Sequence, residues 1–183
     1  MNYRITLFVL ISILFAYFSR HALLRPGSHG FPRFFAWEAL LALILINHPF
    51  WFISPLAFHQ IISWILLTIS IALVIHGGYL LKILGKHDPK REEKDLFFFE
   101  KTRNLVTTGI YRYIRHPLYA SLIFLGWGAF FKHFSFVSLI LVLLATLLLV
   151  KTSLQDEQEC LSYFGKAYSD YMMSSKRFIP FIF

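Results

Sequence analysis

One long stretch of this chain carries no formally charged side chain. Between Glu38 and Lys82 the sequence contains no Lys, Arg, Asp or Glu. A transmembrane helix needs about 20 residues to cross a hydrocarbon core about 30 Å thick, so this stretch is long enough for two passes. Asn47, His48 and Pro49 mark a turn between them. The stretch therefore predicts an all-α integral membrane protein, because helices satisfy their own backbone hydrogen bonds in lipid.

Two further apolar tracts extend this pattern to about five transmembrane helices. Pro117 to Val150 is interrupted only by Lys132 and His133, which predicts a helical hairpin whose polar tip reaches the opposite membrane surface. Residues 5–19 are shorter than a standard span, but flanking Tyr and Arg side chains can lengthen them at the interfaces. A cleaved signal peptide is the alternative for this segment, although it lacks a convincing small-residue cleavage site. Hydrophobic residues make up 57% of the chain, above the roughly 45–50% typical of soluble domains.

The basic residues predict an orientation in the membrane. With the N-terminus outside, the segments on the cytoplasmic side hold sixteen of the eighteen Lys and Arg, and only Arg4 and Lys132 lie outside. The formal charge of +8 then reflects topology and anionic lipid head groups, not nucleic acid, for which no recognition motif is present. We expect three spans in residues 1–84. Residues 85–183 would form a cytoplasmic connector, the hairpin and a C-terminal segment, together the catalytic region.

The connector and the single cysteine limit the chemistry. Residues 85–104 are rich in both signs of charge and have an apolar cluster at 96–99. They fit an interfacial helix or a solvated loop equally well, and either could cover a bound ligand. Cys160 excludes an intramolecular disulfide and is more typical of a small semi-buried residue than of a nucleophile. No metal-ligand spacing such as HExxH or paired CxxC occurs, so no metal is predicted.

A first polar motif, LVTTGIYRYIRHPLY, directly precedes the fourth span. Pro117 is predicted at the first helical position, with His116 at or next to the N-cap. A helix N-terminus with Arg115 beside it can hold a carboxylate. Tyr111 and Tyr119 bring aromatic faces that can stack on a purine or lie against a sulfonium. The alternative is an ordinary interfacial aromatic belt in which Arg115 only follows the distribution of positive charge.

A second polar motif, DEQECLSYFGKAYSDY, lies on a predicted helical extension of the fifth span that ends at Gly165. Asp156 and Glu157 are adjacent, so their side chains point roughly 100° apart on a helix. One of them could face a site while the other holds a neighbouring arginine. A solvated acidic face is the alternative.

The two motifs, followed by RFIP near the C-terminus, resemble the isoprenylcysteine carboxyl methyltransferase family and related phospholipid methyltransferases over roughly residues 105–180. The resemblance implies S-adenosylmethionine as the cofactor, bound at the cytoplasmic face. The implied cofactor-binding residues are Arg103, Asn104, Leu105, Val106, Tyr111, His116, Pro117, Leu118, Tyr119 and Asp156. The implied catalytic residues are Arg115, His116 and Glu157, acting mainly as positioning groups.

The acceptor is less constrained by this resemblance. Family members that methylate a prenylcysteine carboxylate have an arginine four residues before the first acid, where this chain has Thr152 next to Lys151. These two residues are the predicted substrate-binding positions. We therefore expect a lipophilic acceptor that presents a carboxylate, amine or hydroxyl of a lipid or lipidated substrate. Gly126 and Gly128 mark either close helix packing or a gap through which it enters from the bilayer.

Two other function classes stay open. Membrane reductases of the sterol or enone type resemble this family in their C-terminal half and bind NADPH there, although they are usually longer. A non-catalytic membrane protein that binds partners is the third possibility. Methyl transfer is favoured because in-line displacement at a sulfonium depends mostly on positioning, and the chain shows no nucleophile–base pair.

Overall fold

The computed structural model describes residues 3–89, 91, 96–98 and 100–180, and within them the regular structure is helical. The α-helices are α1 (Tyr3–Leu23), α2 (Gly30–Asn47), α3 (Phe58–Leu80), α4 (Pro117–Phe130), α5 (Phe136–Phe164) and α6 (Lys166–Ser174). Two 3-10 turns (His48–Phe50 and Gly109–Arg112) and a π-helical turn (Leu81–Gly85) complete the regular structure. These residues form no strand, only isolated bridges between His87 and Thr102 and between Ile114 and Lys176. The predicted all-α architecture is confirmed.

Four of the helices are long and apolar enough to cross a membrane, namely α1, α2, α3 and α5. The fifth apolar helix, α4, has only 14 residues. At 1.5 Å per residue it spans about 21 Å, less than the roughly 30 Å of a hydrocarbon core. Because four helices have membrane-spanning length, the chain is a multi-pass integral membrane protein. Helix α4, the first arm of the predicted hairpin, is shorter than a full span.

The far end of the bundle, formed by the loops 48–57 and 131–135, closes around a buried lysine. Lys132 is 2% exposed, and its Nζ donates to Gln60 Oε1 at 3.0 Å. The same Nζ lies 3.2 Å from the centre of the Trp64 ring. The amide and the ring face compensate the charge away from water. Lys132 at the hairpin tip therefore turns inward, which explains why a basic residue lies at the end that otherwise has few.

Small residues bring α4 close to its neighbours. A Cβ atom on Gly126 would lie 2.8 Å from Leu40, and one on Gly128 would lie 2.9 Å from Leu67. Ser63 Oγ donates to the carbonyl of Gly128 at 2.7 Å. Such close approaches and interhelical hydrogen bonds are the usual basis of helix packing in lipid. Of the two alternatives for these glycines, the structure therefore shows close packing and no gap.

Helix α1 contacts the bundle through α2. Ser12 Oγ donates to Glu38 Oε2 at 2.6 Å, and the rings of Phe15 and Trp37 lie 5.3 Å apart. Nine large apolar side chains of α1 are exposed. This exposed face is suited to contact with lipid. The opposite face of α1 packs against α2.

The connector is an irregular segment docked on the helices. Phe97 stacks on Trp37 of α2 with ring centres 5.6 Å apart. Tyr163 Oη of α5 donates to Asp88 Oδ2 at 2.6 Å. The described part of residues 86–104 forms no helix, so the interfacial-helix alternative fails there. The segment is also not simply a solvated loop, because Glu100 and Thr102 line a cavity inside the protein.

Candidate functional site

A cavity of about 490 Å³ lies where the connector meets α2, α4 and α5. One end is polar, and the residues with charged or polar groups there include Arg33, Glu100, Tyr111, Arg115, His116 and Asp156. The other end runs between the helices and is apolar, with Phe15, Trp37, Leu40, Leu41, Ile44, Leu122 and Leu125 among its lining residues. The volume falls within the range of small-molecule sites.

The first motif reaches this cavity through a turn that requires glycine. Gly109 has φ of 61°, and a Cβ atom there would lie 2.6 Å from Leu80. The chain then forms the short 3-10 turn, and Tyr111 becomes buried with its carbonyl accepting from Tyr171 Oη at 2.6 Å. Pro117 begins α4 directly after His116, as predicted. The motif is thereby fixed between α3 and the C-terminal helix.

Glu157 is the centre of a buried ion cluster that joins three segments. Its Oε1 accepts from Arg115 Nε at 3.0 Å and from Arg177 Nε at 3.1 Å. Its Oε2 accepts from Arg177 Nη2 at 2.8 Å. Glu157 is 4% exposed and is not among the residues that line the cavity. Its catalytic role stays a prediction, and in the structure its carboxylate holds the first motif, α5 and the C-terminal segment together.

His116 bridges the two adjacent acids. Its Nε2 lies 3.2 Å from Glu157 Oε1, and its Nδ1 lies 3.5 Å from Asp156 Oδ2. Burial disfavours the charged ring, but the hydrogen bonds to Asp156 and Glu157 raise the pKa of His116. Both nitrogens face carboxylate oxygens, which is the arrangement of an imidazolium that donates twice. His116 therefore orients Asp156 at the cavity and is not placed to act as a general base.

A second ion cluster lies at the start of α2. Arg33 Nη1 donates to Glu100 Oε1 and lies 3.2 Å from His29 Nε2. His29 also binds Glu159 of α5, with Nδ1 2.7 Å from Glu159 Oε2. Glu100 accepts from the backbone N–H of Phe97 at 2.8 Å. This cluster ties the connector to α2 and α5.

The titration of His29 gives a pH-dependent stability. Although burial disfavours the charged ring, hydrogen bonds to Glu100 and Glu159 raise its pKa from 6.5 to about 10. The stabilisation is therefore complete below pH 6.5 and is lost as the pH rises through about 10. We expect the unfolding temperature in detergent to fall between pH 7 and pH 10, and to fall less in His29→Gln. Parallel pH profiles for the two proteins would contradict this.

Most residues predicted to bind the cofactor meet at the polar end. Those that line the cavity are Leu105, Val106, Tyr111, His116, Pro117, Leu118, Tyr119 and Asp156. Arg103 and Asn104 are exposed and do not line it, and Asn104 Nδ2 instead donates to the Leu84 carbonyl at 3.2 Å. The predicted substrate positions also lie elsewhere. Lys151 is exposed, and Thr152 is buried with its hydroxyl donating to the Leu148 carbonyl at 2.8 Å.

The contribution of α2 and the connector to the cavity lining was not predicted from the sequence. Arg33, Trp37 and Glu100 all line the cavity. A signal was present, because Arg33 is the basic residue of a largely apolar helix, and Trp37 follows it at helical spacing. The described residues contain no group of three or more His, Cys, Asp or Glu that could hold a metal ion.

Comparison with known families covers the part of the chain that builds most of the polar end. Residues 71–163 match the model of the isoprenylcysteine carboxyl methyltransferase (ICMT) family. This region is just over half of the 183 residues and includes the first motif, α4 and nearly all of α5. Searches of curated proteins and of solved structures found no match. The chain belongs to the isoprenylcysteine carboxyl methyltransferase family, a family of membrane methyltransferases.

Proposed function

We propose that this protein transfers a methyl group from S-adenosylmethionine to a lipophilic acceptor at the cytoplasmic face of a membrane. The observation that carries the proposal is the continuity of the cavity. Its polar end holds Asp156 and His116, and its apolar end lies between helices that have membrane-spanning length. Such a cavity can bring a charged cofactor and the head of a lipid to one place.

The residues of the polar end fit the cofactor. Asp156 offers a partly buried carboxylate for an ammonium group, and Tyr111, Tyr168 and Tyr171 provide aromatic walls for a purine or a sulfonium. Leu118 and Tyr119 are at the start of α4, where backbone N–H groups have no partner within the helix. These groups suit a carboxylate. When bound, the cofactor supplies an electrophilic methyl group.

The chain's own residues contribute by positioning and by excluding water. His116 keeps Asp156 in place, and Glu157 holds the motif segments through Arg115 and Arg177. The docked connector forms part of the wall over this region. Fixed geometry in a dry site can supply most of the rate enhancement of a displacement reaction. An enzyme nucleophile is not required.

The proposed orientation follows the charge distribution. The polar end carries the connector, the first motif and α6, which together contain nine of the eighteen Lys and Arg. By the positive-inside tendency this end faces the cytoplasm, with the N-terminus outside. The site would then be open to the cytoplasmic pool of cofactor.

Blocking the apolar end tests the proposal. Leu125 lines that end, so Leu125→Trp should fill it and lower methyl transfer by about tenfold or more while cofactor affinity changes little. The assay uses methyl-tritiated S-adenosylmethionine with three acceptor probes: phosphatidylethanolamine, N-acetyl-S-farnesylcysteine and dodecanol. Label is counted after solvent extraction, and S-adenosylhomocysteine binding is measured in parallel.

Leu147→Trp is the matched control, because Leu147 on α5 is 68% exposed on the apolar surface. It should leave transfer unchanged. Equal transfer of label by Leu125→Trp and Leu147→Trp would contradict the proposal that the acceptor binds in the apolar end of the cavity. Absence of label in all three probes together with saturable binding of NADPH would favour the reductase alternative.

A further inference from the structure

We infer that the far end of the bundle is a lipid-docking surface, seated where acyl chains meet head groups in the leaflet opposite the polar end of the cavity. The surface consists of the loops 48–57 and 131–135 together with the first residues of α3 and α5. Its partner is the lipid of that leaflet. The inference does not depend on the proposed function.

Large apolar side chains are exposed on this surface. Phe52, Leu56, Phe58 and Phe136 are each at least 75% exposed, and Phe134 is 53% exposed. Contiguous exposed apolar patches of this kind are rare on surfaces that face water, and they mark sites of interaction with protein or membrane. The exposed side chains therefore call for an apolar partner.

The two loops form one continuous surface. The rings of Phe50 and His133 are stacked with their centres 3.8 Å apart. The rings of His59 and Phe134 lie 5.7 Å apart. The surface continues into the exposed apolar faces of α3 and α5. Because those faces belong to helices of membrane-spanning length, the partner that covers them also reaches the far end.

The far end presents no formal charge to its surroundings. Residues 48–58 contain no Lys, Arg, Asp or Glu, and residues 131–137 contain only Lys132. Lys132 is buried and turns inward onto Gln60 and Trp64. The exposed polar side chains of these two ranges are His48 and Ser54, which suit the boundary with the head groups. A turn in water would have no need to bury its lysine.

The backbone of the far end is satisfied from inside the protein. Gln60 Nε2 donates to the carbonyls of Phe50 and Lys132, at 3.1 and 3.2 Å. Asn47 Nδ2 donates to the carbonyls of Ala129 and His133, at 2.9 and 3.2 Å. In water the solvent could bond these carbonyls, whereas in lipid each needs a partner within the protein. Two buried amides supply four such bonds.

The opposite end of the bundle has a different surface. Arg25, Lys86 and Arg103 are exposed in the loops there. Charged side chains of this kind are typical of loops that lie in water or among head groups. The contrast between the two ends shows that the apolar surface is a property of the far end and not of every loop in the chain.

The length of α3 places the far end at the edge of the acyl chains. Lys82 directly follows α3 at the opposite boundary, and Gln60 contacts the carbonyl of Lys132 at the far end. At 1.5 Å per residue, positions 60 and 82 are about 33 Å apart, close to the roughly 30 Å of a hydrocarbon core. The exposed phenylalanines therefore lie at the boundary of the core and do not extend far into water.

The test measures how deep the far end lies in a bilayer. A spin label is attached at Leu56→Cys or Phe136→Cys in a Cys160→Ser background, and the protein is placed in phosphatidylcholine nanodiscs. EPR saturation gives the rates of collision with oxygen, which concentrates in acyl chains, and with a water-soluble nickel chelate. We expect the ratio of chelate to oxygen collisions to be about fivefold or more lower at both sites than at Asp170→Cys, because hydrocarbon excludes polar reagents.

Two labelled variants calibrate this ratio. Asp170 is exposed on α6 and gives the value in water, and Leu147 is exposed on the apolar surface of α5 and gives the value in lipid. A ratio at Leu56 and Phe136 equal to that at Asp170 would overturn the inference. Few collisions with either reagent would also overturn it, since another protein surface, such as a second copy of this chain, would then cover the far end.

A charge placed on the surface gives an independent readout. Leu56→Asp removes little packing, and we expect it to lower the unfolding temperature in the same nanodiscs by about 5 °C or more, because a charged side chain is costly in lipid. Leu24→Asp is the matched control, since Leu24 is 79% exposed next to Arg25 at the opposite end. Equal unfolding temperatures for the two variants would overturn the inference.

Discussion

Replacing Asp156 with Asn is expected to weaken the binding of S-adenosylhomocysteine by about 100-fold or more, since truncating one partner of a buried charge pair costs roughly 2–5 kcal/mol. Asp156 lines the polar end of the cavity, and its carboxylate is oriented by His116 Nδ1. The amide has nearly the same shape but no charge to attract the ammonium group of the ligand. Isothermal titration in bicelles measures the change.

The control for this variant is Asp170→Asn, the same substitution at an exposed position of α6. It should bind S-adenosylhomocysteine as the wild-type protein does. An affinity of Asp156→Asn within about threefold of wild type, or 0.7 kcal/mol, would remove Asp156 from the cofactor site.

Replacing Glu157 with Gln is expected to lower the free energy of unfolding by about 3–5 kcal/mol, the usual cost of breaking a buried ion pair. Arg115, Arg177 and His116 would then converge on a neutral amide. The first motif and the C-terminal segment would lose their common anchor. Denaturant or thermal unfolding in detergent, without ligand, gives the measurement.

This second prediction separates the two adjacent acids. Asp156→Asn should bind ligand poorly and lose less stability than Glu157→Gln, because Asp156 is paired with His116 whereas Glu157 is paired with Arg115, His116 and Arg177. Equal unfolding temperatures for Glu157→Gln and the control Asp170→Asn would contradict the anchoring role of Glu157.

The helical architecture could be predicted because apolar tracts of sufficient length leave few alternatives in lipid. The inward turn of Lys132 could not. It depends on Gln60 and Trp64, which lie about seventy residues earlier in the chain and have no distinctive pattern around them. The short length of α4 was not predicted either, although Lys132 and His133 mark the turn that follows it.

The candidate site was predicted in its C-terminal half. The ordered motif carries local signals, namely a glycine at the turn, Pro117 at the start of a helix and two adjacent acids on α5. The division of labour between Asp156 and Glu157 follows from their angular separation on that helix. Arg33 was missed as a site residue because its partner Glu100 lies 67 residues away on an irregular connector. Such pairing leaves no periodic trace in a single sequence.

The most direct measurement is calorimetric titration of the purified protein in bicelles with S-adenosylhomocysteine, and separately with NADPH. We expect saturable binding of S-adenosylhomocysteine, its loss in Asp156→Asn, and no saturable binding of NADPH. Binding of NADPH without S-adenosylhomocysteine would contradict the methyltransferase proposal and support the reductase alternative. Binding of neither would contradict both and favour a non-catalytic membrane protein.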